Sequence, residues 1–113
     1  MDVKSLILSK EGRLNRKPLW IFMIALSIVE AILTSIGYAI DDSGKLSSML
    51  AFIASLACIM PLIKRCHDRN RSGLFLLLGF IPLVNIWVFI ELYFLRGTYG
   101  DNKYGKDPLE LNK

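Results

Sequence analysis

Three long apolar runs constrain this chain more than anything else in it: WIFMIALSIVEAILTSIGYAI at residues 20–40, LSSMLAFIASLACIMPLI at 46–63 and LFLLLGFIPLVNIWVFIELYFL at 74–95. As helices rising about 1.5 Å per residue they reach roughly 27 to 33 Å, close to the roughly 30 Å of bilayer hydrocarbon. An apolar fraction of 53% with a positive mean hydropathy exceeds what a soluble domain usually carries. The expected architecture is an all-α integral membrane protein with three transmembrane helices. Gly79 and Pro82 interrupt the third run. Halves of about ten residues are too short to span separately, so this run predicts one helix kinked at the Gly/Pro pair.

The polar segments then fall into place. Residues 1–19 form a basic N-terminal segment, 41–45 a short loop, 64–73 a basic loop and 96–113 a polar tail. Lys and Arg number five in the first segment and four in the 64–73 loop, against one in 41–45 and four spread along the tail. The positive-inside rule therefore predicts that the N-terminus and the 64–73 loop are cytoplasmic, with the 41–45 loop and the C-terminal tail outside. The net charge of +4 invites a nucleic-acid reading. Cations crowded against apolar spans fit anionic lipid instead, so no nucleic-acid partner is expected. Cys58 lies in an apolar run and Cys66 in a polar loop, which argues against a disulfide framework. The first run is too long for a signal-peptide core and lacks a clear cleavage pattern, so it is expected to be retained.

Small residues recur every four positions at Ser27, Ala31 and Ser35 and again at Ser47, Ala51 and Ser55. That spacing predicts the facing surfaces of a hairpin between the first two spans. Glu30 falls at the centre of the first span, where an ionisable group costs about 3 kcal/mol on insertion scales. About ten Ile, Leu, Val and Phe side chains at roughly 0.3 to 0.6 kcal/mol each offset it. Glu30 is either a proton or cation site or a packing residue hydrogen-bonded across the bundle, with Asn85 of the third span as a partner. Glu91 is expected nearer the outer end of the third span, where it can snorkel or pair with Arg96. Trp20, Tyr93 and Tyr99 fit interfacial aromatic belts, while Trp87 reads as packing.

The 64–73 loop, KRCHDRNRSG, sets Cys66, His67 and Asp68 side by side. Successive residues point in different directions on a helix or strand, so adjacency cannot build a nucleophile, base and orienter. A metal site is not expected either, because this is the one histidine and structural zinc wants four spaced ligands. No catalytic residue, metal or cofactor is assigned. Asp68 is spaced to pair with Arg65 or Arg71. Asn70 or Ser72 can cap the following helix, whose N-terminus beside Arg69 and Arg71 would suit a lipid phosphate. His67 is required by neither basic anchoring nor helix capping.

Three motifs carry a family resemblance: GRLNRKPLW at 12–20, RCHDRNRSG at 65–73 and GTYGDNKYGKDP at 97–108. With the span order between them, the chain resembles the domain of unknown function 805 family, small multi-pass proteins of the bacterial inner membrane. The matching positions are Gly12, Arg13, Arg16 and Trp20; Arg65, His67, Asp68, Arg71, Ser72 and Gly73; and Gly97, Thr98, Gly100, Asn102, Tyr104, Gly105, Asp107 and Pro108. Pro18, Cys66, Lys103 and Lys106 depart from the family's pattern. The resemblance implies a location and an architecture, and no activity. The function expected is therefore a non-enzymatic membrane interaction module. Its basic cytoplasmic face, made of Arg13, Arg16, Lys17, Arg65, Arg69 and Arg71 with His67 and Asp68, would bind anionic lipid headgroups or a partner protein. A small oligomeric proton-coupled transporter or channel built on Glu30, with Asn85 and Glu91 as further intramembrane polar residues, is the alternative. Membrane lipids are the expected partner, beside a homo-oligomer or a second membrane protein.

Overall fold

The computed structural model describes residues 3–9 and 11–111; Lys10 and residues 1, 2, 112 and 113, counted above in the basic flanks and tail, lie outside that range. The described chain is helical: α1 (Val3–Leu8), α2 (Arg16–Ile40), α3 (Lys45–Ser55), a 3-10 turn (Leu56–Cys58), α4 (Ile59–Asp68), a 3-10 helix (Gly73–Phe80), α5 (Val84–Tyr93) and α6 (Pro108–Leu111). Two helices are long and apolar enough to cross a membrane, α2 and the continuous Lys45–Asp68 rod that runs from α3 through α4. In α2 only Leu19 and Gly37 are buried, while Ile21, Ile24, Ile28, Ile32 and Ile36 stay about half exposed. A core helix of a soluble protein hides such a face; a lipid-facing helix leaves it open.

The two long helices form the expected hairpin, with one correction to its seam. Ser47 of α3 is buried and donates from Oγ to Thr34 O at 2.7 Å, and Ser55 Oγ donates to Glu30 Oε1 at 2.7 Å. The α2 side of the contact is thus Glu30, Thr34 and Gly37, because a Cβ at Gly37 would meet Ser47 backbone atoms at 2.9 Å. Ser27, Ala31 and Ser35 are exposed, and the Ser35 hydroxyl bonds back to Ala31 O of its own helix. A helix turns 100° per residue, so the small-residue row and the Gly37 row lie on different faces. Close approach selected the one residue without a side chain.

The third run is not a single kinked helix. Gly73–Phe80 is a 3-10 helix of eight residues, and α5 has ten. At about 2.0 Å and 1.5 Å per residue, each half is roughly 15 Å long and reaches about half-way through a bilayer. Pro82 causes the break. It biases the preceding residue away from helix, and Ile81 is extended at φ −95° and ψ 120°. Leu83 follows at φ 71°, a left-handed conformation costing about 1 to 2 kcal/mol in a non-glycine residue. The two halves fold back on each other, with the Phe75 and Trp87 rings edge-to-face at 5.3 Å and Arg71, before the first half, closing on Glu91 at the end of the second. Irregular backbone at membrane depth is tolerated where it packs on protein, and here a small core of Cys66, Phe75, Val88 and Leu92 lies beneath it. Two short halves that fold back on each other thus stand where one kinked helix was expected over 74–95.

Candidate functional site

Helix α4 stops at a sequence-encoded cap. Asn70 sits at φ 60°, where asparagine is tolerated, and the N–H groups of Asn70 and Arg71 bond to His67 O and Cys66 O, both at 2.9 Å. These are the paired bonds of a Schellman motif. The remaining end carbonyls look to other segments of the chain. Lys64 O accepts from Leu14 N at 3.2 Å, His67 O from Asn102 Nδ2 at 2.9 Å and Asp68 O from Thr98 N at 2.7 Å. Orphan carbonyls at a helix end must find donors, and here the N-terminal and C-terminal segments supply them.

Asp68 is the centre of this end. Its carboxylate takes Arg65 Nη1 at 2.5 Å through Oδ2 and the Arg13 guanidinium at 3.0 Å through Oδ1, with all three side chains buried. Arg13 uses its other donors on Thr98 O at 2.6 Å, Gly100 O at 2.8 Å and Gly105 O at 3.3 Å. Gly97 fits against Asp68 only because it lacks a side chain: a Cβ there would lie 2.1 Å from Oδ2 and 2.6 Å from the main-chain oxygen. A buried ion pair is stabilising only when its hydrogen-bond capacity is met, and the arginine donors meet it here.

The C-terminus of α5 is capped by the same cations. Arg65 Nε donates to Leu92 O at 2.5 Å and its Nη2 to Leu95 O; Trp20 Nε1 donates to Tyr93 O and Arg16 to Phe94 O, at 2.8 and 2.9 Å; Arg69 donates to Arg96 O. Positive groups at the negative end of a helix add dipole attraction to each bond. Glu91, expected at the opposite interface with Arg96, is instead buried, 3.0 Å from Arg69 and 2.9 Å from Arg71. Arg71 also lies over the Phe75 ring at 4.4 Å. Arg96 pairs with Asp107 at 2.9 Å, and Asp107 further accepts from Gly100 N and Leu109 N at 3.0 Å. Burial pushes the Asp107 carboxyl up, but the bonds from Arg96, Leu109 and Gly100 outweigh it and hold the acid below its ordinary range.

Cys66, His67 and Asp68 diverge. The Cys66 thiol enters the apolar core, Asp68 faces Arg13 and Arg65, and His67 Nδ1 contacts Gly12 O at 3.0 Å while its ring stacks on Tyr104 at 3.9 Å. A carbonyl only accepts, so Nδ1 carries the proton of that bond. Cys58 and Cys66 are both free thiols. Among the described residues no His, Cys, Asp and Glu group is arranged to hold a metal.

Of the basic residues read from sequence, Arg13, Arg16, Arg65, Arg69 and Arg71 are engaged within the chain, and Lys17 is exposed. Glu30 is bonded to Ser55 rather than to Asn85, which stands apart at an exposed position of α5. Ser72 precedes the 3-10 helix without a side-chain cap bond, and Asn70 ends α4 instead of starting the next helix. Sequence reading missed the parts of the knot contributed by Gly97, Thr98, Asn102 and Asp107. Their signal was their place in GTYGDNKYGKDP, where two glycines at positive φ, Gly100 and Gly105, allow the turns that bring the tail back.

The three motifs that meet here span the family match, which carries the description "Protein of unknown function (DUF805)" and covers residues 7–106. This chain belongs to the DUF805 family. Inner membrane protein YhaI of Escherichia coli K12 is 37% identical over 98 residues, covering 86% of this chain and 83% of the relative. Inner membrane protein YhaH of the same strain is 28% identical over 102 residues, covering 86% and 84%. No solved structure matches the chain. Both relatives are named inner membrane proteins, and two helices of this chain are long and apolar enough to cross a membrane.

Proposed function

We propose that this DUF805 chain is a non-enzymatic membrane module in which two spans and a re-entrant hairpin carry a polar platform on the cytoplasmic face, where it engages membrane lipid. The carrying observation is that the tail folds back onto the 64–73 loop, with Thr98 N on Asp68 O and Arg13 on both. Loop, tail and N-terminal segment then share one end, which collects 11 of the 12 Lys and Arg residues among the described residues and leaves Lys45 at the other. So lopsided a distribution supports a cytoplasmic platform, with the C-terminus on the same side. The divergence of Cys66, His67 and Asp68 favours a non-enzymatic role.

The basic face works in two layers. Arg13, Arg65, Arg69 and Arg71 hold the returning segments together, and the exposed Lys17, Lys103 and Lys106 meet anionic headgroups. Each cation near such a surface contributes about 1 kcal/mol. The test is lipid enrichment around the protein in mixed vesicles: Lys17→Glu with Lys106→Glu should lower phosphatidylglycerol enrichment by about tenfold or more. Unchanged enrichment would overturn the headgroup role. Transport through Glu30 gains no comparable support, since its bond to Ser55 gives that carboxyl a place in helix packing.

A further inference from the structure

Between α4 and the re-entrant hairpin lies an open cleft of about 970 Å³. Its walls are apolar except for Asn85, from Cys58, Leu62, Leu77, Phe80 and Val88, and its polar end is formed by Glu11, His67, Ser72 and Tyr104. We infer that the cleft holds one phospholipid whose acyl chains follow the apolar wall and whose ammonium-bearing headgroup lies against Glu11 and His67. This rests on the proposed reading only in taking the chain as membrane-embedded.

Four observations carry it. The polar end adjoins the interfacial knot, through Tyr104 stacked on His67, while the apolar wall continues along the α4 segment of a membrane-length helix. That is the polarity of a lipid in its own leaflet. The volume stands near the top of the roughly 300 to 1,000 Å³ range of small-molecule sites, which suits a ligand with long chains. His67 is 9% exposed and stands at the polar end, its ring held in place by Gly12 O and Tyr104. Finally, the charge is one-sided: Glu11 is exposed there, and among the described residues no Lys or Arg lines the cleft. A primary ammonium donates to the Glu11 carboxylate in a charge-assisted bond, whereas an anionic headgroup without a cation brings a second negative charge beside it.

Gly79 gives a clean block. It lines the cleft, and a Cβ built there meets nothing within 4 Å, so a larger side chain enters open space rather than the core. Purified protein in mild detergent would be titrated with dioleoyl phosphatidylethanolamine or dioleoyl phosphatidylglycerol and read by native mass spectrometry, with helical circular dichroism as the folding control. One phosphatidylethanolamine per chain is expected, held at least tenfold more tightly than phosphatidylglycerol. Glu11→Gln should remove most of that preference, and Gly79→Phe should abolish the tight site with helicity retained. Equal affinity for the two lipids, or a tight site undiminished in folded Gly79→Phe, would overturn the inference. Lys17→Glu with Lys106→Glu should leave this stoichiometric site intact, so failure of the cleft and failure of the headgroup layer read out separately.

Discussion

Arg13 and Asp68, 55 residues apart in sequence, meet through a contact of 3.0 Å with side chains only 1% and 3% exposed. Asp68 serves two guanidinium groups at once, so its loss strands both Arg13 and Arg65 in the interior. Removing one partner of a buried pair costs about 3 to 5 kcal/mol. Asp68→Ala should therefore destabilise the chain by about that amount, read as the midpoint of denaturation by increasing detergent charge. The fully buried Cys66 thiol should resist maleimide in the native protein and become labelled in Asp68→Ala.

Glycines divide sharply by what surrounds them. Gly97→Ala puts a methyl group into Asp68, including its backbone oxygen at 2.6 Å, which cannot swing away. Forced repacking of this kind costs about 1 to 3 kcal/mol. Gly37→Ala should separate α2 from α3 at Ser47 with a similar penalty, while Gly79→Ala should be close to neutral. The same denaturation midpoints rank the three variants, and a neutral Gly97→Ala would contradict the packing described here.

Asp107 fastens the tail through Arg96, Gly100 N and Leu109 N. Its carboxyl is lowered in the folded protein, so the stabilisation it adds is fully present above the ordinary carboxylate range and is lost as pH falls through the lowered value. Amide exchange in residues 97–107, corrected for intrinsic rates, should stay slow at pH 6 and accelerate only under strongly acidic conditions. Asp107→Asn should make exchange faster already at pH 6 and flatten that part of the pH dependence.

Glu30→Gln keeps a side-chain acceptor for Ser55, and hydrogen bonds between membrane helices average about 0.6 kcal/mol. Its stability should therefore change by less than about 1 kcal/mol, and Glu30→Leu should lose only that bond. A large effect of Glu30→Gln would require a second partner for this carboxyl.

The two long helices were legible because predominantly apolar runs of 21 and 18 residues have few other uses, and Asp68 pairs with Arg65, one of the two partners that helical spacing offered. The third run reads as one kinked helix because length and composition describe that as well as they describe two short halves that fold back on each other. What breaks it is Pro82 acting on Ile81, together with Glu91, whose partners Arg69 and Arg71 lie about twenty residues before it in sequence. Such pairings cannot be read from local periodicity. The basic residues were read from sequence as contacts for lipid or a partner; in the fold Arg13, Arg16, Arg65 and Arg69 bond backbone carbonyls of the chain itself, pairings of high sequence separation. The DUF805 motifs mark that knot because each supplies one of its strands.

The return of the tail to the side of the 64–73 loop is tested most directly by cysteine accessibility. In a Cys58→Ser, Cys66→Ala background, Asp42→Cys, Asn70→Cys and Lys106→Cys report the 41–45 loop, the 64–73 loop and the tail, at positions exposed in the structure. Labelling by a membrane-impermeant maleimide in intact cells and in inverted vesicles should group position 106 with position 70, reached only from the cytoplasmic face, and leave position 42 on the other side. Position 106 labelled together with position 42 would mean that the third run crosses the membrane, and the knot of Arg13, Asp68 and Thr98 could not form.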